Sequence, residues 1–183
     1  MPTNPATIDR TDLARRIFEA AHITGEFQLR SGAVSNEYFD KYLFESDPQL
    51  LAHIARAMSE LVPEGVDALA GLEMGGIPLV TMLSQITRLP ALFVRKEAKP
   101  YGTCKLAEGS DVDGRRLLIV EDVVTSGGQI VLSANDLRER GAHVEHALCV
   151  IDREGGGAEN LANAGLTLHP LFAMSELKAA AAG

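Results

Sequence analysis

Two adjacent carboxylates, Glu121 and Asp122, stand directly after a short apolar run at residues 117–120. Residues 125–128 follow with the sequence Thr-Ser-Gly-Gly, and a helical pattern begins at Gln129. Backbone amides at a helix N-terminus attract anions, and hydroxyls add further donors. Carboxylates in the same turn can accept hydrogen bonds from sugar hydroxyls. This spacing therefore predicts a sugar-phosphate site, with the acids on the sugar and the amides on the phosphate.

The elements that position these groups follow from the apolar pattern, which alternates between strand-like and helix-like stretches after residue 65. The predicted strands cover residues 66–72, 91–94, 117–120, 144–152 and 166–172, and the predicted helices cover 75–87, 129–140, 158–164 and 174–181. Such alternation is typical of a doubly wound, mostly parallel α/β sheet flanked by helices, with ligands at the carboxyl ends of its strands. We therefore expect four strand ends to meet in one crevice. The loops that leave them begin at Glu73, Arg95, Glu121 and Arg153.

The N-terminal 65 residues do not share this alternation. Three features are predicted there: a helix capped by Asp9 or Thr11, two short strands around a turn within residues 27–40, and a helix that starts at Asp47-Pro48. We expect this segment to pack over the crevice as a small hood. At 183 residues the chain fits a single domain, with about 1–65 as helix and hood and about 66–183 as the core.

Charge and composition argue against several classes of function. A formal net charge of −8 argues against a general nucleic-acid binder. No apolar run has the length of a membrane span, and the first residues lack a signal-peptide pattern. The two cysteines, Cys104 and Cys149, have no metal-ligand spacing, so a reducing cytoplasm is the expected compartment. His143 and His146 are three apart on a predicted strand and should face opposite sides, which argues against a shared metal.

One stretch is locally basic, since Arg95 to Lys105 contains four cations and one glutamate. It begins a segment, residues 95–114, that has little apolar content and several glycines, and we interpret this segment as a long flexible loop. Clustered charge usually marks a solvated face. Long loops, however, are more often functional lids or disordered segments than idle connectors, so we expect this loop to carry cations to the crevice.

These stretches together resemble a known family. Residues 118–128, Leu-Ile-Val-Glu-Asp-Val-Val-Thr-Ser-Gly-Gly, resemble the phosphoribosyl-pyrophosphate (PRPP) loop of the type I phosphoribosyltransferases. Further stretches are similar to the orotate phosphoribosyltransferase family: Phe27-x-Leu-x-Ser-Gly-x-x-Ser-x-x-Tyr-Phe-Asp40, Gly75-Gly-Ile-Pro78, Arg95-Lys-Glu-Ala-Lys-x-Tyr-Gly102, and Asp152-Arg153 with its following glycines. The resemblance covers roughly residues 10–175 in the expected order.

The resemblance implies a transferase that joins orotate to the phosphoribosyl group of PRPP and releases pyrophosphate. Its rate enhancement should come from stabilising the leaving group and aligning the nucleophilic nitrogen. The implied catalytic residues are Lys99, Arg95 and Asp122. The implied PRPP-binding residues are Arg30, Arg95, Lys96, Lys99, Tyr101, Glu121, Asp122, Val123, Val124, Thr125, Ser126, Gly127, Gly128 and Gln129. The implied orotate-binding residues are Thr125, Arg153, Tyr38 and Phe39, with Arg153 as bidentate partner of the orotate carboxylate.

The resemblance also implies a cofactor and a partner. Mg²⁺ would be held mainly by PRPP and water, so no protein cage for a metal is expected. Members of the family are homodimers, which implies that the 95–109 loop is shared between subunits. No nucleic-acid or membrane partner is expected.

Some points stay open at this stage. Asn36, Met74-Gly75, Tyr101 and Arg30 depart from residues common in the family. The adjacent aromatics Tyr38 and Phe39 fit either a stacking platform for the base or part of the core. Two alternative functions remain: a phosphoribosyltransferase for another nucleobase, and a PRPP-sensing regulator that binds nucleic acid. The 27–40 segment and the Arg95 loop argue against the first, and the net charge argues against the second.

Overall fold

The computed structural model describes residues 8–28, 32, 34–97 and 106–183. Its helices and strands, in chain order, are α1 (Arg10–Ala21), β1 (His22–Gln28), β2 (Val34–Phe39), α2 (Lys41–Ser46), α3 (Pro48–Ser59), β3 (Ala68–Leu72), α4 (Gly76–Thr87), β4 (Ala91–Val94), β5 (Ala107–Glu108), β6 (Arg116–Val124), α5 (Gly128–Arg138), β7 (His143–Asp152), α6 (Gly157–Asn163), β8 (Thr167–Ala173) and α7 (Met174–Ala182).

The central sheet has six strands in the order β5-β4-β3-β6-β7-β8, and β1 and β2 form a separate antiparallel pair. All neighbours in the central sheet are parallel except β4 and β5. Because β3 lies between β4 and β6, the order of the strands reverses at that point, which is where such sheets bind ligands. The predicted doubly wound α/β fold is confirmed.

Helices cover both faces of this sheet. On one face, a buried apolar cluster joins the sheet to α1, α2, α3, α4 and α7. On the other face, a second cluster joins it to α5 and α6. Buried side chains of the N-terminal helices, such as Ile17 and Ile54, therefore belong to the same cluster as Leu118 of β6. Among the described residues, no helix is long and apolar enough to cross a membrane.

Aspartates start the three helices of the N-terminal part. Asp9 accepts hydrogen bonds from the amides of the first turn of α1, and Asp47 does the same for α3. The predictions of a cap at Asp9 and of a helix start at Asp47-Pro48 are confirmed. The sequence reading missed α2, a helix of only six residues whose first turn is capped by Asp40.

β6 is longer than predicted, and this changes the position of the two acids. The strand continues through Glu121 and Asp122 to Val124, because β7 pairs with it as far as Asp152. The prediction that the acids follow the strand was wrong. They lie within it, and their side chains contact one another.

Two other local predictions were also wrong. Within the predicted 95–114 loop, residues 107–108 form β5, which pairs with β4. The pairing of β6 with β7 is irregular, since Arg116 is opposite His143 and Leu118 is opposite His146, and the strict alternation assumed for these histidines does not hold. His146 meets His169 of β8, with their ring nitrogens 3.1 Å apart. The described residues contain no group of three or more side chains suited to a metal.

Candidate active site

The Thr-Ser-Gly-Gly stretch forms the turn between β6 and α5 as predicted. Gly127 precedes the helix with a φ of 72°, a left-handed conformation that favours glycine, and a Cβ there would lie 3.2 Å from Leu161. No side chain among the described residues caps α5. Its first amides are therefore available to an anion. Around Gly128 the space is open, since the nearest described atom to an added Cβ is Ser126 Oγ at 3.8 Å.

The loop after β7 packs directly against this turn. The amide of Arg153 donates to the carbonyl oxygen of Val124 over 2.8 Å. A Cβ at Gly155 would lie 2.9 Å from Thr125 Cγ2, so only glycine allows this approach. Asn160 of α6 donates to the carbonyl oxygen of Ser126 over 3.0 Å. The structure thus brings the loops of Thr125 and Arg153 together, and both residues are exposed.

The Arg153 loop is also held from its other side. Asp152 Oδ1 accepts the amide of Glu154 over 2.9 Å. The Glu154 carboxylate in turn accepts the amide of Ser175 over 2.9 Å and its hydroxyl over 3.0 Å. Because Ser175 lies in the first turn of α7, the loop is tied to the start of that helix.

The two acids of β6 have very different surroundings. Asp122 is fully buried, and its Oδ1 accepts the amide of Val123 over 2.5 Å. Lys41 Nζ lies 2.5 Å from Asp122 Oδ2. Glu121 is half-buried, and burial, followed by the charge of Asp122, raises its pKa to about 9. Burial and Asp122 likewise raise the pKa of Glu45 to about 8.

Sequence reasoning missed Lys41 and Glu45. They are four residues apart on α2, and their connection to Asp122 spans some 80 positions of the chain. Local spacing carries no signal for such a contact. The cap at Asp40 was the available hint that a helix, with its one-turn repeat, begins there.

The turn after β3 completes the crevice. Its peptide bond between Glu73 and Met74 is cis. Glu73 Oε1 accepts the amide of Lys96 over 2.7 Å, which joins the end of β3 to the start of the basic loop. A Cβ at Gly75 would overlap Asp122 Oδ2. Gly75 therefore has to be glycine for the turn to pass the buried acid.

Arg95 lies beside this turn, at the wall of a cavity of about 360 Å³ that also includes Met74, Phe93 and Glu108. Its amide donates to the carbonyl oxygen of Leu106, and its guanidinium Nη2 lies 3.9 Å from Glu108 Oε1. The side chain of Arg95 is 39% exposed, so it remains accessible from the crevice.

The adjacent aromatics take different positions. Phe39 packs against the core cluster, with its ring centroid 6.2 Å from that of Phe18. Tyr38 is 46% exposed, and its ring centroid lies 5.5 Å from that of Phe27. Stacking of either ring on orotate stays a prediction.

The remaining predicted residues divide into three groups. Val124 is buried and can offer a ligand only its backbone, whereas Val123 is half-buried. Gln129 and Lys96 are exposed. The predicted residues Arg30, Lys99 and Tyr101 lie outside the described residues.

Comparison with known proteins agrees with this fold. Residues 44–165 match the phosphoribosyl transferase domain family. An orotate phosphoribosyltransferase of Nocardioides sp. is 53% identical over 174 residues, which cover 95% of this chain and 97% of that one. The crystal structure of Mycobacterium tuberculosis orotate phosphoribosyltransferase with Fe(III) dicitrate superimposes with a TM-score of 0.81 at 31% identity, covering 93% of this chain and 99% of the other. The same Mycobacterium tuberculosis enzyme in complex with PRPP gives a TM-score of 0.79 at 27% identity, over 93% and 99% of the two chains.

A mostly parallel sheet with an uncapped helix start at its switch point, matched by the domain family over more than half of the chain, defines a phosphoribosyltransferase. The chain belongs to this family and, by its identity to relatives over nearly the whole length, to the orotate phosphoribosyltransferases.

Proposed function

We propose that this chain transfers the 5-phosphoribosyl group from PRPP to orotate, giving orotidine 5′-monophosphate and pyrophosphate in pyrimidine biosynthesis. The carrying observation is that the loop of Arg153 is hydrogen-bonded to Val124 and packed on Thr125, beside the uncapped start of α5. An anion-binding helix start and an exposed guanidinium for a second anion therefore meet at one point. Orotate carries a carboxylate and PRPP carries phosphates, so both substrates fit this pairing.

Each group has a role in the reaction. The amides and hydroxyls from Thr125 to Gln129 bind the 5-phosphate, and Arg153 binds the orotate carboxylate as a bidentate donor. Glu121 accepts a hydrogen bond from a ribose hydroxyl through a carboxyl oxygen, which remains an acceptor when the group is protonated. As the bond between the anomeric carbon and pyrophosphate breaks, positive charge develops on the sugar and negative charge on the leaving group.

The leaving group requires cations. Arg95 lies at the edge of the crevice, and the amide of Lys96 is bound to Glu73 at the end of β3. We propose that these two residues, with Lys99 of the same loop, stabilise the departing pyrophosphate. A side-chain nucleophile is not required, since orotate itself supplies the attacking nitrogen.

We also propose Mg²⁺ as a cofactor carried by PRPP. Of the acids at the crevice, the fully buried Asp122 is already paired with Lys41 and thus does not offer a free carboxylate to a metal. This donor set fits a metal that enters with its substrate and water, as a hard cation bound to phosphate oxygens does. When bound, it would neutralise charge on the pyrophosphate.

A homodimer that shares the 95–109 loop is a further part of the proposal. Met74 is 63% exposed and Phe93 is 36% exposed, and both line the cavity beside Arg95. Exposed apolar side chains at the base of a basic loop support contact with a second subunit there. We further propose that the chain forms a single domain. It would act in the cytoplasm, where its two cysteines stay reduced.

Sharing of the loop is tested by mixing two variants. Lys99→Ala and Asp122→Ala proteins, each inactive alone, should regain partial activity when mixed dimers form, because one site then carries neither substitution. Native mass spectrometry would verify the mixed dimers. Absence of recovery in verified mixed dimers would show that each subunit supplies its own loop.

The activity itself is tested by incubating the protein with PRPP and Mg²⁺ and following loss of orotate absorbance. Uracil, hypoxanthine and adenine serve as parallel acceptors. We expect turnover with orotate and little with the other bases, because they lack the carboxylate that Arg153 binds. Faster turnover of another base would overturn the choice of acceptor, and no turnover of any base would favour a non-catalytic PRPP binder.

A further inference from the structure

The Lys41–Asp122 pair joins the N-terminal part of the chain to the end of β6. Lys41 is the first residue of α2, and its side chain is 31% exposed, whereas Asp122 is completely buried. A carboxylate removed from water in this way requires a partner of opposite charge. Lys41 Nζ, 2.5 Å from Oδ2, is that partner.

Two further acids contact Asp122 through their side chains. Glu45 lies one turn beyond Lys41 on α2 and is 7% exposed, and Glu121 is the preceding residue of β6. Burial alone would lower the pKa of Lys41, but the hydrogen bond and charge of Asp122 outweigh it and raise that pKa. The raised pKa of Lys41 keeps its ammonium group charged at neutral pH, while the raised pKa values of Glu45 and Glu121 favour their neutral forms.

Asp122 also touches the other wall of the crevice. Its Oδ2 lies so close to the Cα of Gly75 that a methyl group there would overlap it. One carboxylate therefore contacts α2, the neighbouring acid of β6 and the turn between β3 and α4. Displacing this carboxylate would disturb the end of β6, which leads into the turn at residues 125–128, and the turn between β3 and α4.

We propose that Lys41 is a positioning residue for the PRPP site: its ammonium group fixes the Asp122 carboxylate, and through it Glu121 and the Gly75 turn. This inference rests on the proposed function. Lys41 acts on PRPP through Asp122, whereas the hydrogen bonds that hold the Arg153 loop run to Val124 and, through Glu154, to Ser175. Loss of the ammonium should therefore weaken PRPP more than orotate.

The test compares Lys41→Met with Lys178→Met, which removes an exposed lysine from α7. Binding of Mg-PRPP is measured by calorimetry, and KM is measured for each substrate. We expect Lys41→Met to weaken PRPP binding about ten- to a hundredfold, as the loss of supporting contacts around a bound group commonly does. The KM for orotate should change less than the KM for PRPP, and Lys178→Met should match the wild type.

A double variant shows whether Lys41 acts through Asp122. Lys41→Met combined with Asp122→Asn should bind PRPP as Asp122→Asn does alone, because the carboxylate that Lys41 holds is already gone. Further weakening in the double variant would overturn the proposal, since Lys41 would then act independently. Lys41→Met kinetics equal to those of Lys178→Met would overturn it as well.

Folding and function are separated in this design. If Lys41→Met does not fold, the double variant still should, because it leaves no unpaired buried charge, and its comparison with Asp122→Asn remains decisive. If the wild type binds PRPP but does not use orotate, the proposed function fails while the calorimetric test of Lys41 still applies. A wild type that does not bind PRPP would instead remove the basis of both.

Discussion

At the amino end of β6, Arg116 pairs with Asp67, the residue before β3, whereas at the carboxyl end Asp122 is buried against Lys41. The first pair is in contact with water, since the Arg116 side chain is 61% exposed. It donates to the Asp67 carboxylate from Nε over 3.2 Å and from Nη2 over 3.1 Å. The second pair is surrounded by two further acids and closed over by Gly75.

The difference shows that the unfavourable electrostatic free energy lies at the carboxyl end of β6 and not at its amino end. At the amino end one cation meets one acid, which lowers the pKa of Asp67 to about 2 through hydrogen bonds from Arg116. At the carboxyl end one lysine faces three acids, and burial raises two of their pKa values. Strongly perturbed acids of this kind cluster at functional sites. One strand therefore combines a conventional surface ion pair with an end suited to a charged ligand.

The largest effect is expected from Gly75→Ala, which inserts a methyl group into the space of Asp122 Oδ2. The backbone must shift, so we expect the free energy of unfolding to fall by about 2–4 kcal/mol. Displacement of the acid and the turn should reduce kcat/KM for PRPP about a hundredfold. Urea unfolding and steady-state kinetics measure the two effects.

Gly25→Ala is the matched control, since a Cβ there meets only the end of the Phe27 ring, at 3.1 Å. It should retain most of the activity. Equal losses at both glycines would mean that the packing around Asp122 has no special importance.

Glu45→Gln is expected to have a smaller effect, and it should raise the free energy of unfolding at high pH where Gly75→Ala lowers it. The folded chain holds a proton on Glu45 up to about pH 8, while the unfolded chain releases it near pH 4.5. Stability therefore falls as pH rises through this window. The amide cannot ionise, so at pH 8.5 the variant should exceed the wild type in free energy of unfolding by about 1–2 kcal/mol.

Thermal and urea unfolding of both proteins at pH 5 and pH 8.5 would measure this difference. Glu64→Gln, at an exposed position, serves as control and should have the same free energy of unfolding as the wild type at both pH values. A Glu45→Gln variant that is less stable than the wild type at pH 8.5 would contradict a neutral Glu45.

The smallest effect is expected from Asp67→Asn at the exposed end of β6. The pKa of Asp67 lies below its ordinary value, so its contribution is present above about pH 4 and is lost as pH falls toward 2. At pH 7 the Tm should fall by a few degrees at most, because exposed ion pairs contribute little. Activity should be unchanged.

Scanning calorimetry at pH 7 and pH 2.5 tests this expectation, and the Tm difference should be smaller at the lower pH. Loss of PRPP turnover in Asp67→Asn would show that the two ends of β6 are coupled, which would break the contrast between them.

The sequence predicted the features that depend on near neighbours. The alternation of strands and helices, the cap at Asp47 and the glycine turn before α5 are all local patterns, and the structure contains them. The sheet edge formed by residues 107–108 was missed, because a two-residue strand has no periodicity to detect.

The electrostatics of the site depend on distant parts of the chain and could not be predicted in this way. The strand pairing that carries β6 past Val120 is set by β7. Lys41 and Glu45 meet Asp122 only after α2 has packed on the sheet. In the sequence they are ordinary charged residues of a polar stretch, and the same spacing occurs on many solvated helices.

The hydrogen bonds between Glu154 and Ser175 have a consequence for the order in which the molecule is completed during synthesis. Arg153 and the turn at residues 125–128 leave the ribosome before α7, so the Arg153 loop lacks these two bonds until Ser175 has emerged. The sheet strands from β3 to β7 can pair earlier. On the roles proposed above for this turn and for Arg153, a growing chain would acquire phosphate binding first and orotate binding later, when α7 docks.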